Sequence, residues 1–208
     1  GYTVGICSAS VNSIANSISK SLPYDTLSDF TFIEPLAAYT YVVTAAPELG
    51  VDSLDALIKM ASSKPGALSF AFANATAQVI SAKLNKQLDM RVLAVPYKSP
   101  AEGLADVSQN RVSFAVTDIG TTLAMVKSGR VRPLAVVAGQ RSINLPDVPT
   151  LAEAGVKDFE TAPWQGLLGP AKLPQSIIDS LHVQIRSALK VNDTRERIGA
   201  TGTDIVGN

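Results

Sequence analysis

Residues 68–78 read LSFAFANATAQ, and their punctuation sets the fold class. An apolar run over 68–72 suits a buried strand, and the small polar loop after it leads into a helix over 76–88. A helix over 53–63 precedes the run, with Asp52 as its expected cap and Lys64-Pro65-Gly66 as its stop. A further strand is expected at 91–95. Ser99-Pro100-Ala101-Glu102 then forms a capping box with proline at the first helical position, opening a helix to 109. Strand, helix and strand recur at 112–116, 121–128 and 132–137, with Gly129 stopping the helix. Short strands separated by helical crossovers imply an α/β fold with a mostly parallel sheet.

The flanks of this region complicate a single sheet. Toward the N-terminus, strands are expected at 2–7, 30–36 and 39–45, with a helix at 12–19 broken by Leu22-Pro23-Tyr24-Asp25. Near the C-terminus, 165–168 is an isolated strand ending in Gly169-Pro170. Beyond Pro174 lies the longest helix, with Ile177, Ile178, Leu181, Ile185, Ala188 and Leu189 forming an apolar stripe. A chain that leaves one domain, builds a second and returns on a late strand produces this order. The expected division is a discontinuous first lobe, 1–45 with 163–208, and a second lobe, 46–162.

Composition bounds the function. The 208 residues are 46% hydrophobic and 17% charged, enough for a real core. Lys+Arg and Asp+Glu each number 18, so the chain has no net charge, and no Lys/Arg-rich segment offers a nucleic-acid surface. No apolar run reaches membrane-spanning length, and the opening GYTVGICSAS lacks the charged start of a signal peptide. Cys7 is the one cysteine, forms no internal disulfide, and reads as a buried strand thiol.

Three segments share one arrangement of strand, small polar loop and helix start: 6–12 (ICSASVN), 72–78 (FANATAQ) and 116–121 (VTDIGT). In open α/β sheets ligands collect beyond the carboxyl ends of strands. Helix N-termini there present unpaired N–H groups and partial positive charge, which suits a carboxylate or phosphate. The alternative is that Ser, Thr, Asn and Asp are ordinary caps and turn residues. None of the three loops holds Arg or Lys, so backbone amides, hydroxyls and water would carry an anion. Asp118, the only charge among them, either orients a water or donor on a ligand or caps the following helix.

Signals for catalysis are weak. The single histidine, His182, lies one residue beyond the apolar stripe of the long helix and reads as structural or solvated. One His and one Cys far apart build no metal cluster, and no G-x-S-x-G elbow, Walker loop or GxGxxG occurs. No cofactor or metal is expected. The residues are equipped to hold a molecule rather than to transform it.

Residues 145–155, LPDVPTLAEAG, resemble the LPDVPT-x-AEAG signature of the Bug-type substrate-binding proteins of tripartite tricarboxylate transporters. Other pieces follow in the same order: Gly1-Tyr2-Thr3, LPYDTLSDF at 22–30, Val95-Pro96-Tyr97-Lys98, Lys127-Ser128-Gly129-Arg130, Trp164-Gln165-Gly166-Leu167 and Ala171-Lys172-Leu173-Pro174. The co-linear set spans essentially the whole chain. Relative to that family, the chain starts after the first strand with its Pro-Pro-Gly-Gly loop and stops before the last helix. The loop at 73–76 is shorter than the family's Gly/Ser-rich loop. A first lobe without its central strand would leave a sheet edge open.

The resemblance implies a two-lobed periplasmic-binding-protein type II fold, periplasmic location, capture of a small organic carboxylate (mono- or dicarboxylate) and delivery to membrane transporter subunits, without catalysis. By the same resemblance Ser8 and Ser10 fall in the first lobe's ligand loop, Asn74, Thr76 and Ala77 in one second-lobe loop, and Thr117 and Asp118 in the other. A sensor or adaptor that reports to a signalling partner is the alternative from another class, and an enzyme on the same scaffold is a third.

Overall fold

The computed structural model describes residues 3–157, 159 and 163–206. The chain divides into two compact units, 1–39 with 162–208, and 40–161. Residues 41–45, expected in the first lobe, belong to the second unit. The division falls at 39/40 rather than 45/46.

The second unit is built on a five-stranded sheet. Its strands are β3 (Tyr41–Ala45), β4 (Ser69–Phe72), β5 (Leu93–Pro96), β6 (Phe114–Asp118) and β7 (Arg132–Val137), in the order β5-β4-β6-β3-β7. The crossover helices α2 (Leu54–Ser63), α3 (Ala75–Gln87), α4 (Pro100–Ser108) and α5 (Ile119–Lys127) return the chain between them. β4 runs parallel to β5 and β6, but β3 runs antiparallel to both β6 and β7. The sheet is mostly parallel as expected, four strands running one way, and β3 is the exception: it enters from the first unit's chain and has no crossover to fix its direction.

Local chemistry accounts for most helix starts. Ser99 Oγ accepts from Glu102 N at 3.3 Å, with Pro100 at the first helical position of α4. Ser53 rather than the exposed Asp52 caps α2, accepting from Ala56 N at 3.2 Å. Gly103 lies where α4 meets β4, and a Cβ there would sit 3.0 Å from Ala71 Cβ and 3.2 Å from the Tyr97 ring. One cluster of buried apolar side chains joins Ala71, Leu104, Val107, Val112, Ala115 and Val131. A second joins Val42, Ile119, Val136, Leu145 and Val148. The 145–155 stretch closes over this second cluster. Thr150 and Glu153 form a reciprocal capping box, Glu153 N to Thr150 Oγ1 at 3.1 Å and Thr150 N to Glu153 Oε2 at 2.8 Å. Gly155, at φ +89°, ends the turn in the left-handed region.

The first unit carries a four-stranded antiparallel sheet. Strands β1 (Gly5–Ser8), β2 (Phe30–Tyr39), β8 (Trp164–Pro170) and β9 (Thr203–Ile205) lie in the order β1-β8-β2-β9. β2 is longer than expected and shifts register against β8 between Phe32 and Glu34 and again between Pro35 and Ala37. Such bulges add local twist. Helix α6 (Gln175–Leu189) follows Pro174 as expected, while α7 (Asn192–Ala200) and β9 are elements the sequence reading did not anticipate. Within 12–19 the chain forms a π-turn over Ser10–Ile14 that runs into α1 (Ala15–Ile18).

Two sequence readings of single residues meet their surroundings here. Cys7 is 2% exposed, and burial pushes its thiol pKa up. His182 on α6 reaches down to Glu34 of β2, whose side chain is fully buried. His182 Nδ1 contacts Glu34 Oε2, and Arg186 Nε pairs with Oε1 at 3.3 Å. The histidine thus has a structural role, pinning α6 to the sheet through a buried carboxylate.

Candidate functional site

The parallel pair β4 and β6 sends its carboxyl ends to one side of the second unit's sheet, where α3 and α5 begin. Each start is capped by a residue named from the sequence. Asn74 Oδ1 accepts from Ala77 N at 2.8 Å. Asp118 Oδ1 accepts from Thr121 N at 2.9 Å, and Thr121 Oγ1 donates to both carboxylate oxygens, at 3.0 and 2.9 Å. Helices of 13 and nine residues therefore present their positive ends side by side on the β4–β6 pair.

The seven expected contact residues do not stand alike. Asn74, Thr76, Ala77, Thr117 and Asp118 gather at these two helix starts. Thr117 and Asp118 are the last residues of β6 rather than a loop, because Asp118 caps α5 with no intervening linker. Thr76 and Ala77 are buried, at 3% and 1% exposure. Thr117, at 4%, shares a 2.6 Å hydrogen bond with Thr122 Oγ1, and Thr122 in turn donates to Asp118 O at 2.8 Å. Its hydroxyl is engaged in holding the β6–α5 turn. Ser8 and Ser10 lie in the first unit. Ser8 ends β1 and its N–H donates to Asn12 Oδ1 at 3.1 Å, while Ser10 opens the π-turn.

One residue of this region escaped the sequence reading. Because β3 is antiparallel, its first residue, Tyr41, pairs with Asp118 at the carboxyl end of β6. The ring is 5% exposed, and its hydroxyl donates to Asn74 Oδ1 at 3.2 Å. An aromatic in a presumed first-lobe strand carried no signal for this placement.

No group of three or more His, Cys, Asp or Glu among the described residues is arranged to hold a metal ion. No described helix is long and apolar enough to cross a membrane. Two cavities lie within single units. One of about 290 Å³ is lined by Phe32, Glu34, Trp164 and Gly166 among others, and one of about 230 Å³ by Asp52, Asp55, Pro133 and Asp147 among others. None of the seven residues lines either.

Known proteins resemble this chain throughout. It is 29% identical over 205 residues to the protein BugT of Bordetella pertussis, covering 97% of this chain and 63% of that protein. A Pseudomonas protein from the tcbD–tcbE intergenic region is 29% identical over 189 residues, or 56% of its length. The chain thus spans about three fifths of the curated relatives it matches. Among solved structures, R. palustris Rpa4515 with adipate superposes with a TM-score of 0.93 at 27% identity. The periplasmic binding protein BugD does so at 0.89 and 25%. Both alignments cover 100% of this chain and 70% of the other. The fold is accordingly of the periplasmic-binding-protein type II class. The model of the tripartite tricarboxylate transporter family receptor, TctC, matches residues 1–208, and the chain belongs to that family.

Proposed function

We propose that the protein is a periplasmic receptor that binds a small organic carboxylate and delivers it to the membrane subunits of a tripartite transporter, without chemical change to the ligand. The observation that carries this is the pair of capped helix starts at the ends of β4 and β6. N–H groups and small polar side chains converge there, in a chain of the TctC family. Such a site suits an anion without a cationic side chain, because helix N-termini supply both donors and partial positive charge. The relative solved with adipate supports a carboxylate as the anion.

The residues assigned to the ligand are Asn74, Thr76, Ala77, Thr117 and Asp118 in the second unit and Ser8 and Ser10 in the first. Thr76 acts through its backbone, since its side chain is buried, while the Ala77 N–H and the Thr117 hydroxyl hold the two helix starts in place for the ligand. The Asp118 carboxylate repels a ligand carboxylate beside it. Its proposed roles are to fix the α5 start and to accept from a ligand hydroxyl or water. Calorimetric titration of the folded protein with mono- and dicarboxylates, adipate among them, tests the reading. Saturable binding of at least one supports it, and no binding across the set overturns it.

A further inference from the structure

Asn74 caps α3, and its amide is held in one orientation. The backbone N–H of Ala77 can only donate, so the amide atom facing it at 2.8 Å is the oxygen. The Tyr41 hydroxyl, 3.2 Å from the same atom, therefore donates to it as well. With Oδ1 accepting both, the Nδ2 prong is directed away from the helix cap and donates to no described residue. It is also not among the buried polar atoms without a partner, so it stays open to solvent.

Geometry alone explains why Tyr41 can do this. β3 is antiparallel to β6, and Tyr41 pairs with Asp118, which brings the ring to the end of the sheet where α3 and α5 start. The ring is 5% exposed, which fixes its position. A neutral amide donor held at the positive end of a 13-residue helix is complementary to a carboxylate and not to an ammonium or a metal ion.

Resting on the carboxylate-binding reading above, we infer that Tyr41 is a positioning residue for ligand recognition, orienting Asn74 so that Nδ2 donates directly to the ligand carboxylate. Two variants separate this from a role in folding. Tyr41→Phe removes only the orienting hydroxyl. Asn74→Asp keeps the cap acceptor for Ala77 N and replaces the donor by an anionic oxygen.

The test is adipate titration by calorimetry, with the Asn74 side-chain NH₂ signal followed by NMR. The expected result is that the wild-type NH₂ signal shifts on adipate addition. Tyr41→Phe should weaken binding about threefold to tenfold, the loss of one oriented hydrogen bond. Asn74→Asp should weaken it about tenfold or more, with the melting temperatures of both variants near wild type. Wild-type binding with an unmoved NH₂ signal and unchanged affinity in Tyr41→Phe overturns the inference and leaves the receptor reading standing. If Tyr41→Phe fails to fold, wild-type affinity in Asn74→Asp alone overturns it. No adipate or other carboxylate binding by the wild type overturns both.

Discussion

The two units hold themselves together differently. In the second, apolar side chains from every layer are fully buried: Leu57, Ile80, Leu104, Val107, Val116 and Val136 are all at 0% exposure. In the first, Leu189 at 7% exposure is the one buried residue of α6, while Ile6, Phe32 and Ile177 remain 62%, 43% and 43% exposed. The tie between α6 and its sheet is instead polar, the Glu34 carboxyl with Arg186 and in contact with His182. An apolar core tolerates small shifts in angle and loses stability with volume, whereas a buried carboxylate depends on its particular partners. The second unit thus rests on an apolar core of its own, and the first carries more apolar surface than its described residues cover.

The largest effect that would break this contrast is in the second unit. Leu104→Ala should destabilise by about 3–4 kcal/mol, through lost burial and the cavity left behind. A loss below about 1 kcal/mol in denaturant unfolding would show that the core is not close-packed. The double substitution His182→Ala with Arg186→Ala should cost about 3 kcal/mol, because it strands Glu34 in the sheet. Adding Glu34→Leu should restore most of that. If the triple variant is no more stable than the double, the carboxylate is not what the helix is held by. By contrast Ile177→Ser should change stability by less than about 0.5 kcal/mol in the same assay.

A smaller, pH-dependent test lies under α4. Burial first, and then its hydrogen bond to Asp106 Oδ2 at 2.7 Å, push the Tyr97 phenol up from 10.0 to about 12. The native state therefore keeps a proton that the unfolded chain releases. That contribution is whole below pH 10 and is lost as the pH rises toward 12. Spectrophotometric titration of wild type against Tyr97→Phe should show the Tyr97 phenol ionising about two units late. A difference titration that places Tyr97 near pH 10 in folded protein would contradict the packing of α4 against its ring. Asp106 answers from the other side: the Tyr97 hydroxyl, and then Arg111 at 3.1 Å, hold its carboxyl below the usual range.

What the sequence disclosed follows the range of the interactions involved. β7 occupies 132–137 as expected. The Thr150–Glu153 box forms as expected and Ser99 caps α4 without the return bond from Glu102, both legible because a cap is a bond between residues three apart. The mostly parallel sheet was legible, but β3 was placed in the first lobe and its reversed direction went unread, because its strand partners lie 69 or more residues away and leave no local trace. α7 lacks an apolar face that would have marked it, its sequence being NDTRERIGA with no fully buried residue. At the site, the helix starts were legible as strand–polar–helix junctions. The Tyr41–Asn74 bond was not, since it spans 33 positions and exists only because β3 is reversed.

The most direct test of the central claim, that a carboxylate binds at the starts of α3 and α5, is an amide chemical-shift map of the protein titrated with adipate. The account predicts saturable shifts centred on residues 74–77 and 117–121 within the second unit. Saturable shifts centred on the Phe32–Trp164 cavity, with residues 74–77 unmoved, would contradict it.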